Sequence, residues 1–486
     1  MPWVSSKKTV FGDPLVTRAA YNALDCAVTR EVFDKLQAEL HGDNLGRAAV
    51  YEFERQLQAP ALEMTLRGIR IDQEWRAVMA RRLRQDTQNV QQKLDQLATA
   101  VWGKGLNPNS PVQMKKFFYE ALGLPPVYKN FKGQRRVTTD RESLEKLYGY
   151  FRARPFINCV LALRDLRKQL SVVTVAIDSD GRFRASYRVA GTETGRWSSS
   201  KNPFWTGSNA QNITDRLRRM FVADPGMKLC YADLEQAESR VVGVVVGQLF
   251  DDWSYYNACL AGDLHTTVCK MVWPNLGWAG DPKEDRAIAD QKFYRDFSYR
   301  DLAKRMGHGS NYGGKPATMA KHTKVPVDIA RQFQEQYFRA FPGIRQWHEW
   351  VQKQLWSDQR YLITPAGRVR HFFGRPNDSA TLREAIAYVP QSSVGDILNR
   401  ALLTLYRREE ELGIELLAQV HDAILFQYPE DREDEIVPAV LEAMLVPLDV
   451  AGREFVIPVE GAVGYNWAKK DKEGKNPKGL QTYEPH

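Results

Sequence analysis

The chain has 486 residues, 43% hydrophobic and 26% charged, and its 68 Lys and Arg against 59 Asp and Glu leave a formal net charge of +9. That length supports a large buried core shared among subdomains. A mean hydropathy of −0.47, with no apolar run near the ~18–20 residues of a membrane span, excludes a helical membrane protein.

The start, MPWVSSKKTVFGDP, lacks the apolar core of a secretory signal. Five scattered cysteines (26, 159, 230, 259, 269) form no CxxC and no zinc spacing, which suits free thiols in a reducing, cytoplasmic compartment. The mild basic charge fits a polyanionic partner without identifying one.

Residues 18–40 read as an amphipathic helix, and 73–102 as a longer one with Leu and Val at helical spacing. The NPNSPVQ loop (107–113) precedes a short helix that breaks at GLPP. The basic, apolar-poor stretch 125–140 reads as an exposed loop or hairpin. Helices return at 141–150 and 155–172, and from 182 the pattern turns to strands and turns. A helix-rich block covers 235–360 and one long helix is expected over 379–410. A strand–turn–strand surrounds Asp422, then a helix over 432–446 and a last strand, REFVIPVEGAV (453–463), close the chain. The fold class is α+β, with strands drawn from distant parts of the sequence.

Two segments share one local grammar, an apolar run that ends in an acid. They are MKLCYAD, ending at Asp233, and IELLAQVHD, ending at Asp422. One acid at the end of a buried strand and one in the turn between two others can meet on a single sheet. Such a pair can hold two divalent cations ~3.5–4 Å apart, the arrangement that serves phosphoryl transfer. A lone Asp in either place is more commonly a helix cap or turn former. The stretch YRDLAKRMGHGSNYGG (299–314) repeats Arg300, Lys304, His308 and Tyr312 every fourth residue, a slowly winding stripe on one helical face. Two cations followed by two rings suit a nucleoside triphosphate; a solvated basic helix with an aromatic end packed into the core fits the spacing equally well.

The motifs in order resemble a family A DNA polymerase, the bacterial DNA polymerase I type, on its phage branch. DLEQAESR (233–240), the 300–312 stripe and QVHDA (419–423) resemble its three catalytic motifs. TETGRWSS (192–199), NAQNI (209–213), GDLHT (262–266), PGI (342–344), TPAGR (364–368), the Arg383–Gln391–Asp396 series and VGYNW (463–467) fall in the family's order. EMTLRGIRID (63–72) and NSPVQMKKFFYEALGLP (109–125) resemble its thumb-side motifs, so the likeness covers the chain from about residue 50.

The resemblance implies a right-hand fold with an antiparallel palm sheet. Its divisions are an exonuclease remnant at 1–40, palm at 41–72, thumb at 73–172, palm at 173–240, fingers at 241–375 and palm at 376–486. It implies template-directed addition of dNTPs to a primer on primer-template DNA, by a monomer in the cytoplasm of a bacterial host. Asp233, Asp422 and the Leu234 carbonyl would bind two Mg²⁺ ions, with Mn²⁺ a substitute. Glu238 would exclude ribonucleotides, beside Gln236. Arg300, Lys304 and His265 would contact phosphates, with Lys304 counted among the catalytic residues. His308 and Tyr312 would meet the sugar and the nascent pair. Arg196, Gln211, Asn212, Arg383, Gln391 and His421 would touch DNA.

Three departures stand out. Ala423 occupies the place of a second motif glutamate, which leaves either a two-aspartate centre or a weakened one. His308 replaces a Phe or Tyr; its smaller ring hydrogen-bonds and titrates, which would alter dideoxynucleotide discrimination and add a pH dependence. YNALD (21–25) matches, through Tyr21 and Asp25, only the last motif of a 3′–5′ exonuclease. No proofreading is therefore expected of this chain alone, and the exonuclease would be either cut away or carried by a separate polypeptide; a processivity factor is neither implied nor excluded. Two rivals are a single-subunit RNA polymerase, opposed by Glu238 and motif order, and a non-catalytic DNA-binding subunit, which Ala423 alone favours.

Overall fold

A computed structural model describes residues 14–42, 45–131, 134–295, 297–450, 452–471 and 474–485. The N-terminal helix α1 (Pro14–His41) is exposed along most of its length. The long helix α2 (Gln73–Trp102) starts where the Asp72 side chain accepts from Trp75 N at 2.9 Å, and stops at Gly103, whose φ of +73° turns the chain out of the helix. The 125–140 stretch is a hairpin, β1 (Tyr128–Phe131) with β2 (Gln134–Val137); residues 132–133 at its tip lie outside the described residues. With α3 (Arg154–Val173), the far half of α2 closes a separate core around Leu94, Phe117, Phe118, Ile157 and Leu163.

The strand β3 (Met227–Leu234) carries the first acidic motif. Its neighbour α4 (Ala237–Phe250) is buried almost all round through the VVGVVVG run. A Cβ at Gly243 would meet the Tyr256 backbone at 2.8 Å, and one at Gly247 the Trp253 ring at 2.5 Å, so only glycine permits this close packing. Helices α5 (Leu264–Val272) and α6 (Tyr299–Asn311) pack against each other. The long helix α7 (Ser379–Arg407) is opened by Asp378, which accepts from Ala380 N and Thr381 N, both at 3.1 Å. The last part of the chain holds β4 (Glu415–Val420), β5 (Ala423–Pro429), α8 (Glu433–Ala443), β6 (Val459–Gly464), β7 (Asn466–Lys469) and β8 (Gly479–Thr482).

Six of these strands form one sheet in the order β4-β5-β3-β6-β8-β7, antiparallel except for the β7–β8 pair. Sequence-distant β3 thus lies between β5 and β6, as an α+β chain with dispersed strands requires. The expected single closing strand is corrected: it breaks between Phe455 and Val459, and two further strands follow. Pro458, with no N–H to give a ladder, lies in the break.

Candidate active site

The sheet brings the two acidic motifs together. Asp422 sits in the two-residue turn between β4 and β5, where His421 takes φ +57°. Leu234 N donates to Asp422 O at 3.1 Å, and Asp233 lies directly opposite Ala423 in the β5–β3 pairing. On the other flank of β3, Asp233 lies directly opposite Glu460 of β6. Burial, then the nearby Asp422 and Glu460 carboxylates, push the Asp233 pKa up to about 6. Burial also raises Asp422, with Arg196 pulling the other way.

A cleft of about 500 Å³ opens over these acids. Asp233, Leu234, Gln236, Glu238 and Asp422 line one side, His265 from α5 and Lys304 and His308 from α6 the other. Tyr255 and Tyr337 also line it and brace α6: Asn311 Nδ2 donates to the Tyr255 hydroxyl at 2.8 Å, and the Tyr337 hydroxyl donates to Asn311 Oδ1 at 2.7 Å. Sequence reading missed both, because a tyrosine in a buried helix carries the same pattern as any core aromatic.

The expected stripe lies on α6, whose start is fixed by a reciprocal Ser298–Asp301 capping box. Lys304 is exposed and has no hydrogen bond or ion pair among the described residues. Arg300 does not line the cleft; its Nε and Nη2 donate to Asp263 at 2.6 and 2.8 Å. Burial opposes the Asp263 charge, yet Arg300, Thr266 and Arg286 hold its carboxyl well below the usual range. Burial lowers the His265 pKa to about 4, so this imidazole is neutral at pH 7.

Tyr312 follows the last turn of α6, its ring 4.8 Å from that of His308. Its hydroxyl donates to Glu238, and burial followed by that carboxylate raises its pKa well above the ordinary value.

Arg196 reaches the same acids from the TETGRWSS loop. Its Nη2 donates to Glu238 Oε1 at 2.6 Å and to Asp422 Oδ1 at 3.3 Å, and its Nε to the Gln391 carbonyl at 3.2 Å. Gln211 Nε2 donates to Gln419 Oε1 at 2.8 Å, and Gln419 Nε2 to the His421 carbonyl at 2.8 Å, so these lie in one linked row. Gln236, in the left-handed region at φ +51°, donates to the Gly262 carbonyl at 3.3 Å. Asn212 and Arg383 are exposed. Tyr21 and Asp25 lie exposed on α1.

Among the described residues, no group of three or more His, Cys, Asp and Glu converges as a ready metal cage. The donors at hand, two carboxylates and a main-chain carbonyl, are all hard oxygens. That set fits Mg²⁺ or Mn²⁺, which commonly take one or two protein carboxylates and complete their shell with substrate phosphates.

Comparison with known proteins finds relatives along most of the chain. The family model of DNA polymerase family A matches residues 77–469. The thermostable DNA polymerase I of Thermus filiformis is 29% identical over 86% of this chain and 48% of its own length. The DNA polymerase I of Chloroflexus aurantiacus is 30% identical over 95% of this chain and 48% of its own. The chain therefore spans about half the length of the curated relatives it matches. Among solved structures, the POL domain of Pol1 from M. smegmatis, in complex with DNA primer-template and dNTP, superposes with a TM-score of 0.67 at 27% identity. That match covers 85% of this chain and 70% of the other.

Proposed function

The chain belongs to DNA polymerase family A, and from that premise we propose that it adds deoxynucleotides to a DNA primer 3′ end under the direction of a template. The observation that carries this reading is the meeting of Asp233 and Asp422 on adjacent strands, under a cleft whose far wall presents Lys304 and His308. Asp233, Asp422 and the Leu234 carbonyl would hold two Mg²⁺ ions, which when bound activate the attacking primer oxygen and stabilise the pyrophosphate that leaves.

The remaining work falls to the chain's own side chains. Lys304, with no protein partner among the described residues, is placed to pair with a triphosphate. His265 stays neutral and serves as a hydrogen-bonding wall instead of a charge. Glu238, held by Arg196 and Tyr312, forms a fixed wall against a ribose 2′ hydroxyl. Arg196, anchored to the Gln391 carbonyl, bridges the acids to α7, which we assign to the primer end and duplex groove together with Gln211, Asn212, Arg383 and His421. The right-hand division into thumb (73–172), fingers (241–375) and palm is part of the same proposal, supported by the separate core of the 94–163 region. So is action as a monomer in a bacterial cytoplasm, on the phage branch, for which the motif resemblance is the support.

The test is Mg²⁺-dependent primer extension by the parent and by Asp422→Asn. We expect extension with dNTPs, little with rNTPs, and loss in the variant with DNA binding retained. Parent chains that bind primer-template but never extend it would favour the non-catalytic subunit that Ala423 alone suggests.

A further inference from the structure

β3 has two neighbours, and they treat Asp233 differently. On the β5 side its direct partner is Ala423, fully buried and carrying only a methyl group. On the β6 side its direct partner is Glu460. Residues directly opposite in an antiparallel pair project from the same face, with Cβ atoms ~4.5–5.5 Å apart. The Glu460 side chain therefore projects from the same sheet face as Asp233, at the margin of the cleft and outside its lining, near enough for its charge to act on the Asp233 carboxylate. We propose that Glu460 is the third carboxylate of the metal centre, supplied by β6 across Asp233 and not by the residue after Asp422.

Three observations support the assignment. Glu460 is exposed and makes no hydrogen bond or ion pair among the described residues, so its carboxylate is uncommitted. Asp233 likewise has no ion pair among the described residues; Lys469 and Arg218 act on it only from beyond ion-pair distance. Asp422 is the one acid of the three that is compensated, by Arg196. Two opposed, unpaired carboxylates on one sheet face repel each other, and an oxygen-seeking divalent cation relieves that repulsion. Glutamate at 460 is one methylene longer than aspartate, which gives its oxygens reach toward an ion on Asp233. A glutamate at 423 would add its charge on the β5 flank of Asp233; Glu460 adds its charge on the β6 flank.

The inference rests on the polymerase reading, and the experiment separates the two. Manganese binding is measured by EPR titration of the full chain on primer-template DNA with a dideoxy-terminated primer. For Glu460→Gln we expect manganese affinity about tenfold weaker, a matching rise in the Mg²⁺ concentration for half-maximal extension, and unchanged DNA affinity. Glu460→Ala carries the same expectation with the side chain removed, and Glu460→Asp, which keeps the charge, should lie nearer the parent. Manganese affinity in Glu460→Gln and Glu460→Ala equal to the parent would overturn the assignment and leave Glu460 a solvated neighbour. Normal extension by Asp422→Asn would instead overturn the underlying polymerase site, whatever the Glu460 variants do.

Discussion

Arg300 grips Asp263 with two parallel hydrogen bonds, Nε to Oδ2 at 2.6 Å and Nη2 to Oδ1 at 2.8 Å. The stripe's first cation is thus paired within the protein, and a phosphate must compete with a carboxylate for it. Such fork-to-fork pairs are among the stronger charge-assisted contacts, and both side chains here are about three-quarters shielded. Replacing Asp263 by Asn should cost about 1–3 kcal/mol at pH 7, because it leaves a partly buried guanidinium short of an anion. The folded pKa of Asp263 is depressed, so its contribution is present above the unfolded value and lost as pH falls through the folded one. Urea unfolding across pH 7 to 3 should show the gap between parent and Asp263→Asn narrowing at the acid end.

His265 gives a dependence of the same sign in a higher pH window. Its folded pKa of about 4 lies below the ordinary 6.5, so the unfolded chain binds the proton more readily between those values. Stability is therefore lost as pH falls from about 6.5 toward 4, by roughly 3 kcal/mol for this one group. In Glu or Gln the imidazole is gone, but only Gln leaves the site's charge unchanged. His265→Gln should thus flatten the acid limb of an unfolding series and leave the pH 7 to 8 extension rate within a few-fold of the parent. An acid limb identical to the parent's would show that His265 does not titrate in this window.

Much of this site could be read from residue order, and the reason is local. An acid that ends an apolar run, and side chains four apart on a helix, are properties of a few consecutive residues; Asp233, Asp422, Lys304 and His308 were found that way and line one cleft. What stayed hidden depends on pairing between distant segments. Nothing near Arg196 reveals that it donates to Asp422, 226 residues on. Nothing in GDLHT says that its Asp, not its His, holds Arg300. Glu460 sits in a strand that was recognised, but its opposition to Asp233 appears only when β6 is placed against β3. The break in that same strand was missed because VIPVEGAV reads as one apolar run, although its proline removes a ladder donor.

Asp233 illustrates a conflict between stability and function. With the Asp422 and Glu460 carboxylates nearby and no ion-pair partner among the described residues, its charge is unfavourable, and the proposed metal ions would relieve it. Its folded pKa, about 6, is raised, so the penalty applies above that pH and fades as the solution is acidified toward the unfolded value near 4. Solvent reaches this carboxylate and screens the effect. Asp233→Asn should therefore be about 1 kcal/mol more stable than the parent in EDTA at pH 7, with the gain gone by pH 4. The same variant should lose primer extension by ~10³-fold or more. Urea melts in EDTA and a primer-extension series read the two effects separately. A variant less stable than the parent at pH 7 would mean that the Asp233 carboxylate has a favourable partner.

Glu238 is held from two directions, by the Arg196 guanidinium on Oε1 and by the Tyr312 hydroxyl on Oε2. Both oxygens are committed, so the side chain cannot swing aside to admit a larger sugar without breaking a charge-assisted bond. This makes Glu238 a fixed obstacle, and on the proposed function shape rather than charge would be the property that excludes a 2′ hydroxyl. Glu238→Gln keeps the length and the Tyr312 contact and should retain most discrimination between dNTPs and rNTPs. Glu238→Ala removes the obstacle and frees Tyr312, and should relax the dNTP-to-rNTP ratio of kcat/KM by on the order of 10²-fold. It also leaves Arg196 with Asp422 as its remaining carboxylate, so part of the loss in dNTP use should appear as a higher Mg²⁺ requirement. Steady-state kinetics with each nucleotide type over a Mg²⁺ series separate these effects. An unchanged ratio in Glu238→Ala would move the sugar-facing wall to another residue lining the cleft, with His308 a candidate.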